Sequence, residues 1–222
     1  PQHLAMAFNR LALVQMQIGN LKAAVKSAAS ALKAAQASKQ KPLIAASLFR
    51  LSEAQVRTGQ REIASETAQK AIALYQGLGD LSGAGRAYWS LAFAFYYLNR
   101  AVDSRSAAQT ALELCKKAGD QYGIGNVLNA LWYTDVDLAE QIQHLQQAKS
   151  AFETAGYAER QSAVTNNLGK TYQELGLYLH VRRLQREVVE RDRAMGAKLG
   201  LTYSLGNLIG TETTLGELEA AH

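Results

Sequence analysis

The sequence predicts an all-α protein built from repeated pairs of antiparallel helices, and three observations support this. Leucines recur with a period of about 40 residues, within the range of helical repeat families, and mark six copies of one unit. Eight positions after each leucine stands a turn residue, mostly glycine, which tolerates the positive φ between helices. Only two prolines occur, as expected for an almost wholly helical chain. The aligned leucines are Leu11, Leu51, Leu91, Leu131, Leu168 and Leu208, and the turn positions are Gly19, Gly59, Asn99, Ala139, Gly176 and Gly216.

The six copies predict a single domain over residues 1–222, because no linker of different composition interrupts the period. Each copy holds a first and a second helix, and the sixth is truncated within its second helix. The sequence also opens inside a repeat without a methionine, so we expect it to be part of a longer array. A terminal repeat needs a polar cap, and we therefore expect the native protein to continue past His222. The repeats are approximately 4–40, 41–80, 81–120, 121–157, 158–197 and 198–222.

The third repeat shows the predicted helix pair most clearly. Tyr88, Leu91, Ala92 and Phe95 fall at i, i+3, i+4 and i+7, which is one face of a first helix. The second helix, residues 101–112, carries small residues on the side that must approach the first helix closely. We therefore expect a core of close helix contacts with few large side chains.

Glycine-rich strings stand on both sides of the third repeat. Neither GLGDLSGAG nor AGDQYGIG completes a phosphate-binding motif, and no predicted strand precedes either string. The strings are instead interpreted as helix boundaries. Gly79 and Gly119 end one helix, and Asp80 and Asp120 are placed to cap the next.

The fourth repeat is irregular. Trp132 and His144 occupy positions that hold small residues in most other repeats, and the interval that follows, from Leu131 to Leu168, is shorter than the others. Asp137 and Glu140 have the spacing of a capping box for the second helix. The carboxylates here lack complementary ligands at loop spacing, so no metal site is predicted. We expect a local change in the superhelical path and faster amide exchange over Thr134 to Glu140.

Composition favours a soluble, cytoplasmic protein. Apolar residues make up 48% of the chain, but the longest apolar run, Leu91 to Leu98, is too short to cross a bilayer, and no signal peptide is visible. We therefore expect no membrane association. The single cysteine, Cys115, excludes an internal disulfide and fits a reducing compartment. It is predicted to be a packed, unreactive thiol.

Positive charge is concentrated in the first half of the chain. Residues 1–111 hold 13 Lys and Arg against 5 Asp and Glu, a net charge of +8, whereas residues 112–222 hold 11 against 14, a net charge of −3. This asymmetry favours an acidic partner on the N-terminal half. Basic residues do not cluster with stacking aromatics, and no helix-turn-helix pattern occurs, so no nucleic-acid partner is expected.

No catalytic arrangement is visible. The four histidines, His3, His144, His180 and His222, lie in unrelated positions of the repeat. None has a serine, cysteine or carboxylate at a spacing that predicts a catalytic triad or a zinc site. The chain is therefore not expected to be an enzyme or to hold a cofactor or metal.

The fifth repeat, NNLGKTYQELGLY, contains Leu168, Gly169, Tyr172, Gly176 and Tyr178. This pattern resembles the tetratricopeptide repeat. The period of that family is shorter, about 34 residues, so armadillo- and HEAT-type repeats are alternatives. The extra residues lie between one repeat and the next and leave the hairpin spacing unchanged. Such long repeats look like those of bacterial multidomain signalling proteins and kinesin light chains. The resemblance implies a right-handed superhelical solenoid of about five and a half repeats.

In the tetratricopeptide family the first helices line a concave groove. Carried over residue by residue, the resemblance implies a partner-binding groove, called here the predicted groove. Asn167 and Asn207 match an asparagine ladder that holds a ligand's main chain in some members, but Arg10 and Arg50 depart from it. The predicted groove consists of Asn9, Arg10, Phe49, Arg50, Arg57, Arg86, Trp89, Phe93, Tyr96, Tyr97, Asn126, Asn129, Tyr133, Asn166, Asn167, Lys170 and Asn207.

The predicted groove contains a stripe of four aromatics, Trp89, Phe93, Tyr96 and Tyr97, spaced i, i+4, i+7 and i+8. These side chains either pack against neighbouring first helices and thicken the core, or form a binding hot spot for an apolar anchor. In the second case, arginines of the predicted groove would flank them and suit acidic residues of a partner.

We expect the chain to be an interaction scaffold that binds a protein or peptide segment as part of a larger signalling or regulatory protein. The alternative is a sensor region that binds a ligand or signalling peptide and relays this to an attached effector domain. The partner is expected to carry acidic and apolar anchors. Self-association through the truncated terminal repeats is a further expectation.

Overall fold

The computed structural model describes residues 1–216, and within this range every regular element is an α-helix. The second helix expected in the sixth repeat lies outside the described residues. The helices are α1 (Gln2–Gln17), α2 (Leu21–Ser38), α3 (Lys41–Arg57), α4 (Arg61–Gly77), α5 (Leu81–Tyr97), α6 (Ala101–Lys117), α7 (Gln121–Leu131), α8 (Leu138–Thr154), α9 (Ala158–Glu174), α10 (Tyr178–Ala194) and α11 (Lys198–Thr214).

The predicted repeats coincide with the helix pairs α1–α2, α3–α4, α5–α6, α7–α8 and α9–α10, followed by α11. The expected turn residues adopt the left-handed conformation, with φ of +79° at Gly19 and +81° at Gly59. Asn99 takes the same role with φ of 58°. The all-α fold of helical hairpins is therefore confirmed. In repeat four the turn was predicted at Ala139, but this residue lies in α8 and the connection comes earlier.

The chain divides into two compact units, unit 1 from Pro1 to Ala130 and unit 2 from Leu131 to His222. The boundary falls in repeat four, where α7 has only 11 residues and stops at Leu131. The expected irregularity of this repeat is thus seen as a short first helix. The expectation of one continuous domain stays a prediction.

Alanine is the commonest buried residue of unit 1, as predicted, although large side chains such as Phe49, Trp89 and Phe95 are buried there too. Ala28 of α2 lies in one buried cluster with Ala12 of α1 and Leu51 of α3. A second helix is therefore in contact with the first helix of its own repeat and with that of the next. Alanine makes this possible because its short side chain lets helices approach closely.

The last turn of a second helix meets a glycine of the next first helix at three junctions. A Cβ added at any of these glycines would lie between 2.3 and 2.9 Å from the facing side chain, well inside van der Waals contact. The bulk of one residue is thus accommodated by the absence of a side chain on the other. The pairs are Tyr75 with Gly83, Cys115 with Gly123, and Asp192 with Gly200.

Hydrogen bonds organise the irregular fourth repeat within unit 2. Trp132 donates its Nε1–H to Thr171 Oγ1 at 2.9 Å, and His144 Nδ1 lies 2.7 Å from the buried Asp135 carboxylate. Asp137 accepts the backbone N–H of Glu140 at 2.9 Å and so caps α8, as predicted. The bulky side chains therefore have specific partners at positions where other repeats place small residues.

Two further results concern residues 1–216. Within them, no helix combines the length and the apolarity that a membrane span requires. Nor do the described histidine, cysteine and carboxylate side chains gather into a group of three that could hold a metal ion.

Cys115 is a buried free thiol, as expected. Burial raises its pKa to about 12, so it stays protonated and unreactive at neutral pH.

Candidate interaction surface

The first helices carry the residues of the predicted groove. In unit 1 they lie on α1, α3, α5 and α7, and in unit 2 on α9 and α11, with Tyr133 in the connection after α7. The groove residues of the two units differ in kind. Those of unit 1 are mainly aromatic and arginine side chains, whereas those of unit 2 are mainly amides.

Five aromatic rings of unit 1, Phe49, Trp89, Phe93, Tyr96 and Tyr97, form one continuous series, called here the aromatic row. The Phe49 and Trp89 ring centroids lie 6.4 Å apart, and those of Trp89 and Phe93 lie 5.7 Å apart in an edge-to-face arrangement. Phe93 and Tyr97 are separated by 6.3 Å, and Tyr96 and Tyr97 by 5.2 Å. Aromatic pairs at such distances attract one another beyond simple area burial.

Exposure increases along the aromatic row. Trp89 is only 7% exposed, because the Phe49 ring of α3 packs against it. Phe93 and Tyr96 are half-buried, and Tyr97 is 38% exposed. The packing interpretation is therefore confirmed for one end of the row, which joins α3 to α5. The other end presents aromatic surface to solvent, and its role as a binding hot spot stays a prediction.

Arg61 completes the exposed end of the row. Its guanidinium lies 5.3 Å from the centroid of the Tyr97 ring, and its Nη1 donates to the Tyr97 carbonyl at 3.0 Å. Arg61 was not predicted from the sequence, because it lies on the second helix α4 and the predicted groove was drawn from first helices. A cation over a tyrosine face orients the ring and adds about 0.5–1 kcal/mol at an exposed site.

Arg50 and Arg57 share a buried counter-charge. Glu53 accepts from Arg50 at 2.5 Å and from Arg57 at 3.3 Å, all within α3. The Arg50 guanidinium also lies 5.3 Å from the Phe49 ring centroid. These arginines are therefore held in place beside the aromatic row, and their charge is partly neutralised within the chain.

Arg86 forms a two-pronged ion pair with Asp120, through Nε at 2.6 Å and Nη2 at 2.8 Å. Asp120 also caps α7 by accepting from Gly123 N at 3.0 Å, and it accepts from Ser82 Oγ at 2.7 Å. Burial alone would raise the pKa of Asp120, but these hydrogen bonds outweigh it and hold the pKa below its ordinary value. Helix capping by Asp120 was predicted, whereas its link to Arg86 was not.

Asparagines characterise the predicted groove in unit 2. Asn207 Nδ2 donates to Asn166 Oδ1 at 3.4 Å, linking α11 to α9. At the groove positions that hold Trp89 and Phe93 in repeat three, repeat six has Gly206 and Gly210, and open space surrounds both glycines. This part of the predicted groove therefore offers amide groups and bare helix backbone.

The asparagines of the predicted groove in unit 1 hydrogen-bond to other residues of the chain. Asn9 donates to Ser47 at 2.9 Å and so links α1 to α3, while the buried Asn126 donates to the Tyr122 carbonyl at 2.8 Å. Arg10 differs from them, since it is exposed and forms no ion pair with any described residue. It is thus the arginine of the predicted groove whose charge is fully available.

Comparison with known proteins agrees with this architecture. The tetratricopeptide repeat family model matches residues 3–77. No curated protein matches the chain in sequence. Residues 3–77 are therefore similar in sequence to tetratricopeptide repeats, and further helix pairs follow them as far as α10.

Solved structures share this fold at low sequence identity. A signal transduction ATPase with numerous domains (STAND) with a tetratricopeptide repeat sensor, from Pyrococcus horikoshii, matches 98% of this chain with a TM-score of 0.72 and 18% identity. A Rap protein complexed with competence and sporulation factor matches 96% with a TM-score of 0.64 and 13% identity. Tetratricopeptide-like repeats of a Podosopora anserina putative kinesin light chain match 89% with a TM-score of 0.57 and 16% identity.

These structures differ in how much of their own length is matched. The chain spans 34% of the STAND protein, 65% of the Rap protein and 99% of the kinesin light chain repeats. The predicted resemblance to long tetratricopeptide repeats is thus confirmed at the level of the fold.

Proposed function

We propose that this chain is a non-catalytic interaction module that holds a peptide segment of a partner protein against the aromatic row of unit 1. The observation that carries the proposal is the gradient of exposure along that row. Its buried end fixes the position of the rings, and its open end leaves aromatic surface available to a ligand.

Tyrosine suits such a contact because its ring is apolar while its hydroxyl stays hydrated. Tyr96 and Tyr97 can therefore receive an apolar side chain of the partner and hydrogen-bond to its backbone. Interface aromatics with rigid surroundings commonly act as hot spots that cost at least about 2 kcal/mol when truncated. The Arg61 contact and the Phe93 ring supply that rigidity for Tyr97.

Charge plays a secondary part in this proposal. Arg50, Arg57 and Arg86 already contact carboxylates of the chain, so an acidic partner gains less from them than from free cations. Arg10 and the net charge of +8 over residues 1–111 still attract an acidic segment from a distance. We therefore propose that apolar anchors determine affinity and that acidic residues accelerate association.

A sensor region is the second candidate, and the structural relatives support it. The STAND protein carries a tetratricopeptide repeat sensor, and the Rap protein is complexed with competence and sporulation factor. In this case, ligand binding to the same aromatic row would alter an attached effector domain. Activity of that domain in the full-length protein, measured with and without ligand, separates the sensor from a passive scaffold.

The proposal is tested by selecting binders from a random peptide library on the whole chain and measuring their affinities by calorimetry. Tyr97→Ala and Tyr96→Ala should each weaken binding by about tenfold or more. Tyr157→Ala is the matched control, because Tyr157 is an exposed tyrosine outside the predicted groove. Selected peptides should share a large apolar residue. Peptides that bind both tyrosine variants as tightly as the unmodified chain would rule out the aromatic row.

A further inference from the structure

Four arginines of unit 1 place their guanidinium groups over aromatic rings, between 4.3 and 5.3 Å from the ring centroids. Three of them also contact a carboxylate of the chain, at distances between 2.5 and 2.7 Å. The ring and the carboxylate together hold the guanidinium, and the carboxylate neutralises its charge. These complete sets are Arg50 with Phe49 and Glu53, Arg86 with Tyr122 and Asp120, and Arg100 with Phe95 and Asp103.

Arg61 is the exception among the four. Its guanidinium lies 5.3 Å from the centroid of the Tyr97 ring, but it forms no ion pair with any described residue. Glu62 follows it directly in α4, but side chains at neighbouring positions of a helix do not face each other. Tyr97 is on α5, in the interior of unit 1, with helices before and after it. The pair therefore holds a cation beside an exposed ring without the acidic member of a complete set.

The Arg61 guanidinium retains the donors that a carboxylate needs. Its Nη1 donates to the Tyr97 carbonyl at 3.0 Å, which leaves Nε and Nη2 without an acceptor among the described residues. In the complete set of Arg86, the same two nitrogens bind Asp120, at 2.6 and 2.8 Å. The bond to the Tyr97 carbonyl fixes the plane of the guanidinium at the end of α5. The free edge can therefore donate two parallel hydrogen bonds to a carboxylate.

We infer that Arg61 binds an acidic side chain of the partner segment, which supplies the carboxylate that the other three sets find within the chain. This inference deepens the proposed function and rests on it, because Tyr97 is at the open end of the aromatic row. The partner places an aspartate or glutamate next to its apolar anchor. The anchor then packs on Tyr97 while the carboxylate pairs with Arg61. One acidic residue thus contributes to affinity by direct contact, in addition to the long-range attraction by unit 1.

A purely structural role is the alternative for Arg61. Basic side chains can hydrogen-bond to the last carbonyls of a helix, and the bond to Tyr97 would then serve only to orient the ring. In that case, loss of the guanidinium would weaken acidic and neutral peptides by the same factor. Direct binding predicts instead that acidic peptides lose more affinity than neutral ones.

The test uses peptides selected on the whole chain from the random library, each amidated at its C-terminus so that only side-chain carboxylates remain. A twin of each peptide carries Asn or Gln in place of the Asp or Glu nearest to the apolar anchor. Calorimetry should show that the twin binds the unmodified chain about fivefold more weakly, as for an ion pair at an exposed site. The Arg61→Gln chain should bind the two peptides equally.

Arg100→Gln is the matched control. Arg100 also lies over a ring, but its charge is already paired with Asp103. The Arg100→Gln chain should therefore keep the fivefold difference between a peptide and its twin.

Three outcomes would overturn the inference and leave the proposed function intact. The first is that peptides respond to Tyr97→Ala but carry no acidic residue beside the anchor, or bind equally well without its charge. The second is that Arg61→Gln weakens both twins by the same factor, which would leave Arg61 the structural role alone. The third is that Arg100→Gln also abolishes the difference. If instead no selected peptide responds to Tyr97→Ala, the proposed function fails and the inference falls with it.

Discussion

Glu53 in unit 1 and Glu212 in unit 2 are both buried carboxylates, and each contacts two arginines, yet the two clusters have different consequences. Arg50 and Arg57 lie on the same helix as Glu53, so that cluster orders the surface of α3. Glu212 is on α11, whereas Arg182 and Arg186 are on α10. Its cluster therefore ties two helices together.

The predicted groove shows the same contrast between the units. Repeat three places Trp89 and Phe93 where repeat six places Gly206 and Gly210. Unit 1 therefore has a row of aromatic side chains that runs from buried to exposed, whereas unit 2 has amide groups and bare helix backbone in its part of the predicted groove. The same helical hairpin thus carries different side chains in the two units. The repeat pattern alone therefore does not say which residues bind a partner.

Replacing each glutamate by glutamine tests whether the two clusters differ in their contribution to stability. Glu212→Gln should lower the free energy of unfolding of unit 2 by about 2 kcal/mol, because the charge-assisted hydrogen bond from Arg186 and the ion pair with Arg182, both between helices, lose their negative partner. Glu53→Gln should lower that of unit 1 by less than about 1 kcal/mol, since its partners are on its own helix. Urea unfolding measures both losses of stability. In a Trp89→Phe background only Trp132 remains, and it reports on unit 2. In a Trp132→Phe background only Trp89 remains, and it reports on unit 1. Equal losses would contradict the distinction.

The second prediction concerns a glycine in each unit. A Cβ at Gly85 would lie 2.6 Å from Cys115 Sγ and 3.2 Å from the Ala111 carbonyl, whereas at Gly169 the nearest atom would be 3.7 Å away. Gly85→Ala should therefore destabilise unit 1 by about 1 kcal/mol, after the gain in helix propensity is counted. Gly169→Ala should stabilise unit 2 by up to about 1 kcal/mol.

A double variant identifies the cause of the Gly85 effect. If the clash with the thiol dominates, Cys115→Ala in the Gly85→Ala background should recover part of the lost stability, which a thermodynamic cycle measures as favourable coupling. Simple additivity of the two substitutions would exclude that cause.

The third prediction uses pH to test the Arg86–Asp120 ion pair of unit 1. The pKa of Asp120 in the folded state lies below its ordinary value of 3.8, so this pair stabilises unit 1 above that pH and loses its effect as the pH falls through the folded-state pKa. The loss should be below about 1 kcal/mol, because Arg86 is partly exposed and screened by solvent. Asp120→Asn should flatten the decline in unfolding midpoint below pH 3.8, whereas Asp103→Asn, at an exposed ion pair, should not.

A further prediction concerns the connection between α7 and α8. Amides from Thr134 to Glu140 should exchange with deuterium faster than those at the turns around Gly59 and Asn99, because residues 132–137 lie between helices. Mass spectrometry of exchanged peptides measures this. Equal protection at all of these turns would show that the contacts of Trp132 and His144 fully compensate for the irregular connection.

Much of the helix organisation followed from the regular spacing of the leucines. For example, the second repeat was expected to start at residue 41, and helix α3 spans Lys41–Arg57. This agreement follows because a turn residue, a helix length and a leucine all recur together. The turn of repeat four escaped prediction, since the first helix there stops early at Leu131 and no glycine marks its end.

Contacts between distant residues were less accessible from sequence. Arg86 and Asp120 are 34 positions apart, and their ion pair depends on how closely α5 approaches the start of α7. The burial of Trp89 likewise depends on a ring of the preceding first helix, that of Phe49 on α3. The positions that recur in the first helices predict which side chains share a helix face. The distance between neighbouring helices decides which of those side chains contact one another.

The pairing of a large residue with a glycine at successive repeats bears on how such a chain can be recombined. Exchanging whole repeats as cassettes would set Cys115 or Tyr75 against a residue other than its own glycine, and the junction would then hold a clash or a void. A recombination point in the turn between α3 and α4 avoids this for Tyr75, because it keeps α4 together with α5. Cys115 allows no such point on either side of α6, since it faces Gly123 of α7 and also Gly85 of α5, so the smallest segment that can be exchanged here is longer than one repeat.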